Sequence, residues 1–256
     1  MNSRLMKHLP LIAALVVPAG LAIPAGLASA QESEIALLHS GTDIYDIESL
    51  QRGARNFMND CSGCHSLKYV RYNRMAKDLE IPEPELQANL MFTSDKPFDT
   101  VISSMPADAE AWFGKQPPDL SLMARARSVD YIYAFLKGFY VDKARPWGVN
   151  NLILPATSMP AVLSSVQGLQ KPVYHSEKDE HGSDIMVLTG VELMTPGALK
   201  PEEYDQFARD IANFLDYAGE PIKAKRESTG IFVILFLLVF FAFAYALKKE
   251  YWKDVH

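Results

Sequence analysis

Cys61-Ser62-Gly63-Cys64-His65 is the stretch on which the reading of this 256-residue chain turns. Two thiols three residues apart can each add to a vinyl group of one haem, and the imidazole that follows then lies against the iron. Cys-x-x-Cys-His therefore reads as the attachment site of one covalent c-type haem, with Cys61 and Cys64 holding the ring and His65 the metal. The competing readings are a local disulfide, a redox dithiol, half of a zinc site, or coincidence. The chain has two Cys and six His, and chance gives this arrangement about once in five thousand such sequences. A zinc site needs further ligands, whereas His175 and His181 stand isolated in a polar stretch. No thioredoxin-like pattern surrounds the two thiols.

Working outward, Asp43 to Asp60 place Ile47, Leu50, Ala54, Phe57 and Met58 on one helical face, with Asp46 as N-cap. Such a helix delivers the motif at its C-terminal end. Gly53 on the same side weakens the helix and marks either a close helix crossing or a chance surface position. A partner helix is expected from Pro201 to Gly219, where Tyr204, Phe207, Ala208, Ile211, Phe214, Leu215 and Ala218 share a face. Pro201 suits its first turn and Glu202 and Glu203 its positive dipole end. Between them, Leu79 to Gln116 reads as Pro-marked loop, Leu120 to Phe139 as helix, and Gln167 to Gly197 as a small β-excursion or hairpin.

The two ends are apolar. Residues 1–30 carry Arg4 and Lys7, an apolar run and Ala28-Ser29-Ala30, which reads as a cleaved signal peptide. Gly230 to Leu247 is 18 residues without a charge or a Pro, spanning roughly 27 Å as a helix, enough to cross a bilayer. The expected organisation is a signal peptide at 1–30, an exported haem domain at 31–226, a transmembrane anchor at 227–247 and a cytoplasmic tail at 248–256. The flanking Lys and Arg balance, so the signal peptide sets the orientation. Hydrophobic content of 48% allows a full core. The net charge of −6 becomes −8 once Arg4 and Lys7 are removed, which leaves no basic stripe for nucleic acid and favours a basic protein partner.

A haem held by one His needs its other face explained, because a Met thioether closes the iron and raises its potential whereas an open site binds gases or peroxide. Two Met, Met105 and Met159, sit in identical Ser-Met-Pro triplets, and local chemistry does not choose between them. Taken together, Cys61 to Val70, Pro117-Pro118-Asp119-Leu120-Ser121-Leu122, Arg125-Ala126-Arg127, Met159-Pro160 and the single C-terminal anchor resemble the cytochrome c1 family. That resemblance implies a mainly α fold: a class I cytochrome c-like haem domain with loop and small β insertions, plus one C-terminal transmembrane helix. It implies Met159 as the distal ligand, Pro117 and Pro118 lining the haem pocket, and Arg127, assisted by Tyr131, bonding a propionate. It also implies the haem subunit of the quinol:cytochrome c oxidoreductase, the cytochrome bc1 complex, in a bacterial cytoplasmic membrane with the haem domain on the periplasmic side. The implied partners are cytochrome b, a Rieske iron-sulfur protein as donor and a c-type cytochrome as acceptor. The chain departs from the family ahead of the double proline, where Trp112 to Gln116 replace a common Asn-Gly-Ala. Other functions compatible with a tethered monohaem domain are a membrane-bound shuttle, the haem subunit of a terminal oxidase, and an open-iron sensor or peroxidase.

Overall fold

A computed structural model describes residues 38–178 and 183–254; the expected signal peptide lies outside them. The elements begin with α1 (Ile47–Asp60), β1 (Leu67–Arg71), α2 (Tyr72–Asp78), α3 (Glu83–Asn89) and β2 (Thr100–Val101). A 3-10 turn at Ala107–Ala109 leads into α4 (Glu110–Phe113), α5 (Met123–Arg127) and α6 (Val129–Lys137). Next come β3 (Phe139–Val141), β4 (Val149–Asn151), α7 (Ser164–Gln167), β5 (Gly168–Lys178) and β6 (Asp184–Pro196). The chain ends with α8 (Pro201–Gly219) and α9 (Lys223–Tyr251). The described part is mainly helical, with three two-stranded antiparallel sheets, β1–β2, β3–β4 and β5–β6.

The frame is α8, which packs against α1, α5 and α6. Asp46 caps α1 as its sequence suggests, accepting the Ser49 amide at 2.9 Å. The apolar face of α1, with Leu50, Ala54, Phe57 and Met58 buried, meets Ala208, Ile211, Phe214 and Leu215 of α8. Phe57 and Phe214 rings lie 5.6 Å apart. Gly53 is at the crossing: a Cβ there would stand 2.0 Å from the Asp210 carbonyl oxygen and 2.7 Å from Phe214 Cβ. The close-crossing reading of Gly53 is therefore the right one. Asp210, 3% exposed, is satisfied from α1 by Arg52 Nε and Ser49 Oγ, each at 2.7 Å. On its other side α8 is tied to α6, where the buried Tyr204 hydroxyl donates to the Leu136 carbonyl at 2.9 Å.

Two expectations change. The helix expected over Leu120 to Phe139 is two helices, broken at Ser128, whose φ of 85° leaves the helical region. Its hydroxyl oxygen accepts the Tyr131 amide at 3.2 Å and so starts α6 as an N-cap. The stretch Leu79 to Gln116 is not all loop, because α3 begins behind Pro82 with Pro84 in its first turn, where a missing amide costs nothing. The connection before the membrane span is helical: α9 starts at Lys223, so the mixed-charge residues extend the span as one 29-residue helix. Its apolar window has mean hydropathy 2.8 and none of it is buried against the rest of the chain. The β-excursion expected over Gln167 to Gly197 is a hairpin of 11- and 13-residue strands.

Candidate haem site

Helix α1 ends where the motif begins. The Cys61 and Ser62 amides both donate to the Phe57 carbonyl at 2.9 Å, and the Cys64 and His65 amides fold back to Cys61 O at 3.0 and 2.9 Å. Ser62 Oγ donates to Met58 O at 2.6 Å, pinning the turn to the helix. The two thiols are free, neither being spent on a disulfide. Burial, with Asp60 and Cys64 adding to it, pushes the Cys61 thiol up to about 12. The pair is thus a poor redox dithiol, since attack requires a thiolate. Among the described residues no group of three or more His, Cys, Asp or Glu is placed to hold a metal ion, so the half-zinc reading finds no further ligands.

His65 is held from across the chain. Its Nδ1 lies 2.8 Å from the Pro118 carbonyl oxygen. A carbonyl only accepts, so Nδ1 carries the proton and Nε2 keeps its lone pair for a metal. Burial lowers the His65 pKa, opposed by the Pro118 hydrogen bond and the Asp119 charge, which favours the neutral imidazole that ligation requires. Pro118 is placed by β1, which uses its free edge on the segment that follows: Lys68 N donates to Asp119 Oδ2 at 2.9 Å and Tyr69 N to Ser121 Oγ at 3.2 Å. Leu120 N closes onto Ser66 O at 2.9 Å. The other end of this loop is also strapped to the motif, by Ser103 N to Ser66 Oγ at 2.9 Å and Ser104 Oγ to Gly63 O at 3.3 Å. Met105 follows directly. Pro117, half-buried, precedes the ligand-orienting carbonyl.

Arg127 and Tyr131 are together at the α5–α6 junction, with the guanidinium carbon 5.6 Å from the ring centroid. Arg127 is exposed and has no carboxylate partner among the described residues. The Tyr131 ring stacks on Phe135 at 6.2 Å. Met159 is half-buried on the loop after β4, and this loop hangs from α6 rather than from the motif. Asn151, fully buried, donates to Phe135 O at 2.8 Å and accepts the Ile153 and Leu154 amides at 2.9 and 3.1 Å. Asn150 Oδ1 accepts the Ala156 amide at 2.8 Å, and Arg145 Nη2 donates to Ala156 O at 3.1 Å. Ala156 takes a positive φ of 62°, a turn that these bonds hold in place. The sequence reading missed Asn150, Asn151 and Arg145; two adjacent Asn after a strand with Pro155 close behind mark a turn, but not what it supports.

The residues present fit a c-type haem: two unpaired thiols, an imidazole with its tautomer set for ligation, a thioether on a pinned loop and an unpaired cation. Asn151→Ala removes the partner of three backbone groups. We expect a loss of about 2–4 kcal/mol, given ~1–3 kcal/mol for each buried group left unsatisfied and incomplete additivity. Thermal denaturation reads this loss, and an unchanged midpoint would exclude the bracing role.

Comparison with known proteins places the chain in a family. The chain is 52% identical over 215 residues to cytochrome c1 of Allochromatium vinosum, covering 84% of this chain and 87% of that one. It is 39% identical over 254 residues to the ammonia monooxygenase gamma subunit of Nitrosomonas europaea, covering 99% and 100%. It is 29% identical over 238 residues to cytochrome c1 of Rhodospirillum rubrum, covering 82% and 83%. The sequence profile described as the Cytochrome C1 family matches residues 38–255, nearly all of the described chain, and with it this protein belongs to the cytochrome c1 family.

Proposed function

We propose that this protein is the haem subunit of a cytochrome bc1 complex, taking single electrons from a Rieske iron-sulfur protein and giving them to a c-type cytochrome, with cytochrome b beside it in the membrane. The observation that carries this reading is the Cys-x-x-Cys-His turn whose imidazole is oriented by the Pro118 carbonyl, in a chain of this family. A covalent haem c bound here supplies one-electron iron chemistry, and the subunit makes and breaks no substrate bonds. Cys61 and Cys64 would hold the ring and His65 Nε2 the iron, with Pro118 fixing the imidazole plane and raising its basicity. Arg127, with Tyr131 beneath it, neutralises a propionate.

Met159 would be the second residue to hold the iron. Met105 follows Ser103 and Ser104, both tied to the segment that carries His65, whereas the Met159 loop is suspended independently from α6 by Asn151. This separate anchoring supports Met159 over Met105 as the second residue that would hold the iron. The crossing of α1 and α8, with the motif at the end of α1, supports a class I cytochrome c-like domain. That domain is residues 31–226, exported to the periplasmic side of a bacterial cytoplasmic membrane behind a cleaved signal at 1–30. Residues 227–247 anchor it, and 248–256 remain in the cytoplasm.

Mild-detergent purification of the full-length protein tests the whole reading. An alkaline pyridine spectrum with a two-thioether signature, a co-purifying multi-span b-type cytochrome and iron-sulfur protein, and haem reduction by quinol are expected. Haem that acidic acetone extracts intact, or a haem protein purifying alone with no quinol-linked reduction, would sink it.

A further inference from the structure

Arg145 lies on the turn between β3 and β4. Its amide donates to Asp142 O at 3.1 Å, and its carbonyl accepts the Gly148 amide at 2.9 Å. Its Nη2 donates to the neutral Ala156 carbonyl. Its Nε is buried and has no hydrogen-bond partner, a condition shared among the described residues only by Asn213 Oδ1. No carboxylate of the described residues pairs with it. Asp142, three residues earlier, has its oxygens engaged by the Ala144 amide and by Asn150 Nδ2, each at 3.0 Å. The Arg145 side chain is half-buried and its Nη2 is met by Ala156; a guanidinium cannot shed its charge at any ordinary pH, so the buried Nε–H is left as a charged donor without an acceptor, a costly arrangement for a fold to keep. Such an atom points to an anion that the polypeptide itself does not supply.

The position says which anion. Ala156, gripped by Arg145, is three residues before Met159 in the same loop. Trp147, two residues after Arg145, meets the Phe113 ring at 5.2 Å, and Phe113 belongs to the loop strapped to the haem motif at both ends. Arg145 therefore stands where the loop from the His65 side and the loop of Met159 come together. A haem seated on Cys61 and Cys64 brings two propionates, while Arg127 reaches from a different element. We propose that Arg145 donates its Nε–H to a haem propionate, as a second anchor beside Arg127. The assignment rests on the haem reading above. A guanidinium fork is the natural partner of a carboxylate, and its fixed charge disfavours the more positive, oxidised iron, so it raises the midpoint potential.

The test is Arg145→Gln in the intact membrane complex, with Arg145→Lys as the charge-conserving variant. In Arg145→Gln the covalent haem and the sulfur-to-iron charge-transfer band are retained, the propionate bending band in the resonance Raman spectrum moves, and the midpoint potential falls. Arg145→Lys moves the same Raman band while keeping more of the potential. Propionate band and potential both unchanged in Arg145→Gln would overturn the proposal. Loss of the sulfur band with an unmoved propionate band would overturn it too, reducing Arg145 to a brace for Ala156. Wild-type protein without a two-thioether pyridine spectrum would instead refute the haem reading beneath it.

Discussion

Met159→Leu is expected to abolish the sulfur-to-iron charge-transfer band of the oxidised protein, to lower its midpoint potential steeply and to open the reduced iron to carbon monoxide. Leucine nearly conserves volume, and such a swap usually costs below about 1.5 kcal/mol, so the domain stays folded and the change is confined to the metal. Axial ligands set haem potentials over a range of ~0.8 V, and losing the thioether moves the site toward the low end. A fall on the order of 100 mV is more than tenfold in the one-electron equilibrium, at ~59 mV per decade. Delivery to an acceptor then becomes the limiting step, read as slower quinol-driven reduction of the acceptor at unchanged haem content. Met105→Leu is the control: its Ser-Met-Pro triplet is identical in sequence, yet its band and potential stay as in wild type. A band that survives Met159→Leu and disappears in Met105→Leu would reverse the ligand assignment.

Gly53→Val is expected to destabilise the haem domain sharply. The first added carbon would lie 2.0 Å from a backbone oxygen of α8, and backbone cannot swing aside as a flexible side chain does. Ordinary overpacking costs about 1–3 kcal/mol; here the two main helices must separate, loosening Phe57 against Phe214 and the Asp210–Arg52 pair. A loss of at least about 3 kcal/mol corresponds to roughly 6–12 °C in thermal midpoint for a domain of this size. Because the haem motif caps α1, haem attachment falls with it. Gly53→Ala, which adds only the clashing carbon, separates the contact from the lower helix cost of alanine: stabilisation by alanine would show that the crossing has room to relax.

What could be read in advance was local in sequence. The Cys-x-x-Cys-His chemistry is complete within five residues. The periodicity of α1 and α8 runs along single helices, and α8 ends at the Gly219 the sequence suggests. The apolar span of α9 declares itself by composition, and the hairpin is visible as short alternating or apolar runs between Gln167 and Gly197. The break at Ser128 is not legible because no Gly or Pro marks it; its positive φ is offset here by the hydroxyl that caps the next helix.

The sequence by itself determined which atoms are available: two thiols, an imidazole, two equivalent thioethers and a membrane-length apolar run. Tertiary structure alone decided how they are held. The tautomer of His65 depends on a carbonyl 53 residues away, the Met159 loop on an asparagine bonded to a carbonyl 16 residues earlier, and the unmet charge of Arg145 on which carboxylates are already engaged. Covalent type and helical period are properties of neighbours along the chain. Hydrogen-bond satisfaction is a property of neighbours in space, and it appears only once the backbone groups competing for each donor have been brought together.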